Sequence, residues 1–513
     1  MMNAPLRTAA LTMVAATVAL AGTLLAPGGA AAQTVQSQLE ELEDADYSEG
    51  YAPLVNAVMP AVVAVRVERQ PDRSAQGMPF EGNPSMREFF ERFFGDPEGP
   101  GRGPRGPEGP APEGPGRGQP QTGLGSGFII SEDGLVVTNS HVVGDATSVE
   151  VQLDDERSFE AEVRGVDPLT DLALLEIEAD EPLPYVEFGD STEVEVGDRV
   201  VAIGNPFGLG GTVTSGIVSA LGRRIGAGPY DDFLQIDAPI NRGNSGGPTF
   251  DLDGNVVGVN TAIFSPSGGS IGIGFAIASS LAQDVIADLR DDGEVDRGWL
   301  GVGIQDLEPE LASELGLDAD LSGTVVTQVQ PESPAEQAGL RTGDVITGLD
   351  GERVDGAGEL SRQVAGIDPG ETATFTVVRD GDEEEIEVTL AERPGGEIQM
   401  GQGPDPQQRQ EDEADTARLG LTLAPLSGEA RDELGIPDDQ GVAVGAVEPG
   451  GPASEAGLRE GDVILEIGRE EVGSPQEAAE RILELVEGER ERMLVLINRG
   501  GGQRFVTVSL NLS

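Results

Sequence analysis

The chain has 513 residues, a formal charge of −60, one histidine and no cysteine. That length accommodates about three domains of ordinary size, and the missing cysteine excludes disulfide scaffolds, thiol catalysis and cysteine-ligated zinc. All its basic residues are arginine, and the net negative field repels nucleic acid and anionic lipid, which removes phosphate binding as a main function.

Residues 1–32 read as a cleavable export signal. Arg7 supplies the positive start, Ala9 to Leu25 is an apolar run broken by Pro27, and Ala30-Ala31-Ala32 offers an A-x-A cleavage site before Gln33. No later stretch is apolar and long enough to span a bilayer, so the mature chain is expected to be soluble and outside the cytoplasm. Residues 33–50 are acidic and read as loosely ordered. A short helix over Tyr51–Met59, stopped by Pro60, then precedes a strand over Ala61–Val67.

An insertion from Gln70 to Leu124 is crowded with Gly and Pro, a composition that cannot bury enough apolar surface to order itself. Inside it, Ser85 and Glu88 have capping-box spacing. Phe89, Phe90, Phe93 and Phe94 then fall along one helical face, which is expected to dock on another subunit rather than on its own domain.

From Gly125 to Gly274 short alternating strands follow one another through tight turns. They are expected over Ser126–Ile130, Leu135–Thr138, Ser148–Leu153, Ser158–Val163, Asp198–Gly204, Thr212–Ala220, Phe233–Asp237 and Asn255–Thr261. This pattern predicts an all-β barrel or sandwich, closed by a helix over Ser280–Leu289 that ends at Asp291-Asp292-Gly293. Beyond it, Val329-x-Pro331-x-x-Pro334-x-x-x-Ala338-Gly339-Leu340-Arg341-x-Gly343-Asp344-Val345-Ile346 recurs as Val447-x-Pro449-x-x-Pro452-x-x-x-Ala456-Gly457-Leu458-Arg459-x-Gly461-Asp462-Val463-Ile464. The offset of about 120 residues is too long for a solenoid period. Two copies of a small α+β module are expected, over 297–393 and 418–512, joined by a Gly-, Gln- and Glu-rich linker at 394–417.

Chemistry concentrates in Asn241-Arg242-Gly243-Asn244-Ser245-Gly246-Gly247-Pro248. Glycines on both sides of Ser245 allow a tight turn that uncovers its hydroxyl and lets backbone N–H groups converge in front of it. Serine needs a neighbouring base, and His141 is the only histidine in the chain. The pattern Gly243-x-Ser245-x-Gly247 also fits the nucleophile elbow of α/β-hydrolases, but there the histidine follows the serine and here it precedes it. His141 follows the apolar run Leu135–Thr138 and opens another apolar step at Val142-Val143, which places it at a strand end, partly buried. For the residue that orients it, Asp171 is chosen because it stands at the mouth of the apolar run Leu172–Leu175, where a carboxylate is costly unless paired. Asp167, set before a proline in a turn, and Asp237 remain rivals.

Thr138-Asn139-Ser140-His141-Val142-Val143, Asp171-Leu172-Ala173-Leu174 and Gly243-Asn244-Ser245-Gly246-Gly247 resemble the His, Asp and Ser signatures of the HtrA (Do-like, DegP-like) periplasmic serine proteases. Val201–Gly208, Thr214–Ser219 and Gly272–Ile277 are similar as well, so the likeness runs from Tyr51 to the C-terminus. The resemblance implies an all-β chymotrypsin-like double β-barrel protease domain, over 47–290, followed by two α+β PDZ domains. It implies Ser245 as nucleophile, His141 as general base, Asp171 as its orienter, and the backbone of Gly243, Asn244 and Ser245 as oxyanion hole. It further implies a periplasmic, trimer-based homo-oligomer in which the long insertion contacts neighbouring subunits. No cofactor or metal is expected. The family usually carries Asn or Ala where Ser140 stands, a departure expected to be harmless.

The carboxylate that trypsin-like enzymes place six residues before the serine is replaced by Pro239. Ile273, Gly274, Phe275, Ala276 and Ile277 are instead expected to wall a shallow pocket for small aliphatic side chains, as in the family. Such side chains are buried in native proteins, so exposure selects the substrate. In the PDZ-like repeats, Leu300, Gly301 and Val302, and again Leu419, Gly420 and Leu421, occupy the place of the carboxylate-binding loop that holds peptide C-termini. The expected function is an ATP-independent endopeptidase for misfolded exported proteins, regulated through these domains and through loops near Gly208-Leu209-Gly210 and Ile225–Tyr230. The alternative is a holdase chaperone that binds unfolded clients.

Overall fold

The computed structural model describes Tyr47 and residues 50–69, 121–144, 146–205, 210–225, 228–241, 243–264, 270–394, 419–437, 439–488 and 490–510. The export signal, the phenylalanine helix, Gly208-Leu209 and nearly all of the linker lie outside the described residues.

A helix α1 (Ala52–Val58) and a 3-10 turn (Met59–Ala61) lead into β1 (Val62–Arg69). Five more strands follow: β2 (Gln121–Ile129), β3 (Leu135–Thr138), β4 (Ser148–Gln152), β5 (Ser158–Asp167) and β6 (Leu172–Ile177). They close into a barrel in the order β1-β2-β3-β6-β5-β4. The alternation of β4 shows why: Ser148 and Glu150 face solvent while Val149 and Val151 are buried, the period-two pattern of a strand with one wet face. β2 begins inside the stretch expected to be insertion. Gln121–Leu124 pairs with Leu124 opposite Arg66 and Gln121 opposite Arg69, because the backbone ladder extends wherever β1 offers partners and needs no apolar side chains to do so.

The second barrel comprises β7 (Arg199–Gly204), β8 (Thr212–Arg223), β9 (Phe233–Ile236), β10 (Pro248–Phe250), β11 (Val256–Ile263) and β12 (Gly274–Ala278). Its order, β10-β11-β12-β9-β8-β7, repeats the connectivity of the first barrel. Phe128, Val137, Leu172 and Leu174 of the first barrel pack with Val201, Ile203, Phe250, Phe275 and Ile277 of the second in one core. That core also takes Leu54 and Val58 of α1 and Ala282, Val285, Ile286 and Leu289 of the closing helix, α3 (Ser279–Asp291). Between β3 and β4, α2 (Ser140–Val143) is a single helical turn. The step Val142-Val143 is thus helical rather than extended, and Gly144, at φ 25°, ends it.

Each C-terminal module is a six-stranded antiparallel sheet with helices, and the two share their design. The recurring Gly-Asp has a structural cause. Asp344 accepts from Arg341 N–H at 2.8 Å and pairs with Arg379 at 2.7 Å; Asp462 does the same with Arg459 N–H at 2.8 Å and Arg499 at 2.6 Å. The two modules also pack on each other. Leu311, Leu315 and Val345 of the first join Leu426, Leu494 and Phe505 of the second in one apolar cluster. Gln305 clasps the Phe505 backbone from the side, donating to its carbonyl at 3.2 Å and accepting from its N–H at 3.0 Å.

The first module is fastened to the barrels at Arg297, whose guanidinium meets Asp167 at 3.1 and 2.6 Å and lies 4.7 Å over the Tyr230 ring. The side chains are only 8% and 4% exposed. Replacing Arg297 by alanine strands a buried carboxylate and should cost about 3–5 kcal/mol, read as an earlier unfolding transition in denaturant. Arg353→Ala, which removes the exposed pair with Asp355, should leave that transition where it is. An equal response to both substitutions would show that the buried pair fastens nothing.

Candidate active site

The chemistry-bearing residues meet on the seam between the barrels. His141 enters from α2, directly after β3, and Asp171 stands one residue before β6. Asp171 takes a left-handed backbone at φ 59°, an unusual state for a residue with a side chain. It is held there by its carbonyl, which accepts from the Asn139 side chain at 2.9 Å and from Ser140 N–H at 3.2 Å.

The Asp171 carboxylate is enclosed by donors. Its oxygens lie 2.9 and 2.8 Å from His141 Nδ1, and they accept from His141 N–H at 3.1 Å, Ser140 Oγ at 3.1 Å and Thr261 Oγ1 at 2.5 Å. Burial pushes this carboxyl up. The charge on His141, its ring and backbone N–H, and the Thr261 hydroxyl outweigh burial and hold it below the ordinary carboxylate value. An ionised carboxylate only accepts hydrogen bonds, so Nδ1 carries a proton whether or not the ring is charged, and in the neutral ring Nε2 is the acceptor.

Thr261, on β11, joins this pair to the serine turn. Its hydroxyl donates to Asp171 while its carbonyl accepts from Ser245 Oγ at 3.3 Å. The rivals for the acid are engaged elsewhere. Asp167 accepts from Leu169 N–H and Thr170 Oγ1, which caps the turn that follows it, and also binds Arg297. Asp237 is exposed and accepts from Ile217 N–H at 2.7 Å.

The turn carrying Ser245 needs its glycines. Gly243 and Gly246 have φ of 106° and 83°, and a Cβ on Gly246 would stand 2.3 Å from the Ser126 carbonyl oxygen. Within the expected oxyanion trio, Asn244 N–H donates to the Asn241 carbonyl at 3.0 Å. The Asn244 carbonyl accepts from Gly247 N–H at 3.0 Å. Across a planar trans peptide this turns Ser245 N–H to the opposite side.

Of the segment expected to wall the pocket, Ile273 is half-buried and Gly274, Phe275, Ala276 and Ile277 are buried in β12. Phe275 and Ile277 belong to the inter-barrel core. Ile277 also lines a small cavity behind Asp171 with Thr170, Tyr230, Phe233 and Thr261. Sequence reading missed Thr261, since a threonine inside a strand has no signal of its own. It also passed over Ser140 as neutral, although its buried hydroxyl reaches Asp171.

In the first PDZ-like module, the Leu300 and Gly301 carbonyls accept from Ala335 N–H at 3.0 Å and Gln330 N–H at 2.9 Å. The second module repeats this with Leu419 to Ala453 N–H at 3.1 Å and Gly420 to Glu448 N–H at 2.7 Å. Tying down those carbonyls turns the N–H groups of Gly301 and Val302, and of Gly420 and Leu421, to the other side. Gly301 and Gly420 have φ of 80° and 69°. Val302–Asp306 and Leu421–Pro425 are edge strands of their sheets.

Two barrels of one topology, closed on each other with a serine turn and a His–Asp pair on the seam, define the trypsin-like class of serine endopeptidase. The family model for the trypsin-like peptidase domain matches residues 125–259, and PDZ domain models match 298–390 and 444–497. A "Probable periplasmic serine endoprotease DegP-like" of Brucella suis is 45% identical over 474 residues, covering 90% of each chain. A relative of the same description from Rhizobium meliloti is 42% identical over 516 residues, covering 96% of this chain and 98% of its own. Among solved structures, an HtrA-type protease AlgW with decapeptide is 39% identical at a TM-score of 0.54, over 67% of this chain and 99% of its own. The chain belongs to the HtrA family of DegP-like serine endoproteases. Among the described residues no helix is long and apolar enough to cross a membrane.

Proposed function

We propose that this endopeptidase is exported to the periplasm by the signal at 1–32, assembles as a trimer-based homo-oligomer, and degrades misfolded proteins without ATP under the control of its PDZ domains. The observation that carries the catalytic part is the link from His141 through Asp171 and Thr261 to the Ser245 hydroxyl. Ser245 Oγ attacks the scissile carbonyl and its proton passes to His141 Nε2, while Asp171 stabilises the imidazolium. The carbonyl oxygen becomes an oxyanion facing the N–H groups of Gly243 and Ser245. The C–N bond then breaks as His141 returns the proton to the leaving amine. Water, deprotonated by the same ring, releases the acyl group.

Support for regulation comes from the contacts the first PDZ domain makes with the segment 224–232. Arg393 donates to the Tyr230 hydroxyl at 2.8 Å and Arg362 to the Asp231 carbonyl at 3.2 Å, while Arg224 pairs with Asp306 at 2.9 Å. Asp306 ends the edge strand Val302–Asp306 and also accepts from Ala357 N–H, at the start of the helix Ala357–Ala365. A peptide added beside that strand would thus lie next to a group that holds the protease segment. Tyr230, Asp231 and Asp232, at the end of the segment, line the small cavity beside Asp171.

In nucleotide-free buffer, unfolded casein should be cut rapidly and a natively folded protein spared. A peptide with a free C-terminal carboxylate should raise the rate, and its C-terminal amide should not. Equal cutting of native and unfolded protein would end the exposure argument, and retention of casein without digestion would favour the holdase.

A further inference from the structure

Ser126, in β2, is wholly buried, and each of its polar atoms is engaged. Its N–H donates to the Ser245 carbonyl at 2.9 Å, and its carbonyl accepts from Thr138 Oγ1 at 2.7 Å. Its hydroxyl donates to the Gly243 carbonyl at 2.6 Å and accepts from Asn205 N–H at 2.8 Å. One side chain of the first barrel therefore joins the exit of β7 to the turn that carries the reactive serine.

The turn needs such a support. Gly243 is required for its positive φ, yet a glycine visits either hand of backbone space at little cost, so the residue that permits this conformation does nothing to hold it. The Gly243–Asn244 peptide is gripped at both ends instead: its carbonyl by Ser126 Oγ and its N–H by the Asn241 carbonyl. The direction of the Ser126 proton is fixed in turn. A hydroxyl that accepts from Asn205 N–H must direct its own hydrogen elsewhere, and the Gly243 oxygen is there to take it. The seam leaves little slack, because a Cβ on Gly204 would stand 2.8 Å from Asn244 Cα and 2.9 Å from Ser126 Oγ.

We infer that Ser126 is a positioning residue for the oxyanion hole, its hydroxyl fixing the Gly243–Asn244 peptide so that the N–H groups of Gly243 and Ser245 face the reacting carbonyl. This rests on Ser245 being the nucleophile. Without the hydroxyl, the peptide is held only through Asn241, and the donors spend less time aimed at the position the oxyanion takes. The loss falls on the transition state, since a ground-state carbonyl gains less from those donors than an oxyanion does.

The test uses the full chain in wild-type, Ser126→Ala and Ser245→Ala forms, with a fluorogenic peptide and a peptide boronic acid that forms a tetrahedral adduct on serine. Ser126→Ala should lower kcat about 10- to 100-fold, below the loss for deleting an oxyanion donor outright. KM should change less than about twofold, and boronate affinity should fall by the same factor as kcat. Should the alanine variant fail to fold, Ser126→Cys keeps the shape with a weaker donor and should fall between it and wild type. Unchanged kcat and boronate affinity in a folded Ser126 variant, with Ser245→Ala silent, overturns this inference alone; so does a rise in KM at constant kcat. Activity persisting in Ser245→Ala overturns the assignment of the nucleophile beneath it.

Discussion

Replacing Ser245 by alanine should lower kcat on unfolded casein by about 10⁴–10⁶-fold while the chain keeps its fold and its affinity for peptide C-termini. The size follows from the chemistry, because the hydroxyl is the atom that bonds to the substrate and no other side chain on the turn can replace it. Folding should be spared, since that hydroxyl donates to the Thr261 carbonyl at a long 3.3 Å, and the turn is held by backbone bonds at Asn244, Gly246 and Gly247. Quenched digests followed by mass spectrometry measure the rate. Digestion at the wild-type rate would remove Ser245 from the mechanism.

Asp171→Asn should cost kcat about 10⁴-fold with little change in KM. An amide can turn its NH2 group toward His141 Nδ1, which then accepts; the proton moves to Nε2, and the ring can no longer take one from Ser245. The same substitution has a signature in stability. The folded Asp171 carboxyl lies below its ordinary value, so the carboxylate favours the folded state at neutral pH, and this contribution is lost as pH falls through the folded value. Stability measured from about pH 7 to about pH 3 should therefore drop less in Asp171→Asn than in wild type. A parallel drop in both would mean that the carboxylate is not held by the donors seen around it.

The rare residues were legible from the sequence. The chain's one histidine and the serine of the Gly243–Gly247 run named a base and a nucleophile by residue type, and Asp171 stood out because a charge at the head of an apolar strand needs a partner. Strands with alternating faces were legible for the same physical reason. β10, only three residues long, and β12, buried on both faces, were not, because neither has a period to detect. The pairing of Asp167 with Arg297 was also hidden, since nothing local links a turn of the first barrel to the entry of a later domain. The partners of Asp344 and Asp462 were hidden too; the repeat shows the aspartates, whereas Arg379 and Arg499 arrive from strands across the sheet.

The sequence by itself determined which atoms can react, where the glycines permit tight turns and how many modules the chain contains, because these depend on residue type and local spacing. Only the tertiary structure decided that Thr261 bridges the acid and the serine and that Ser126 holds Gly243. These are contacts between segments distant in the chain, and their geometry exists only once two barrels of the same topology have closed on a common core.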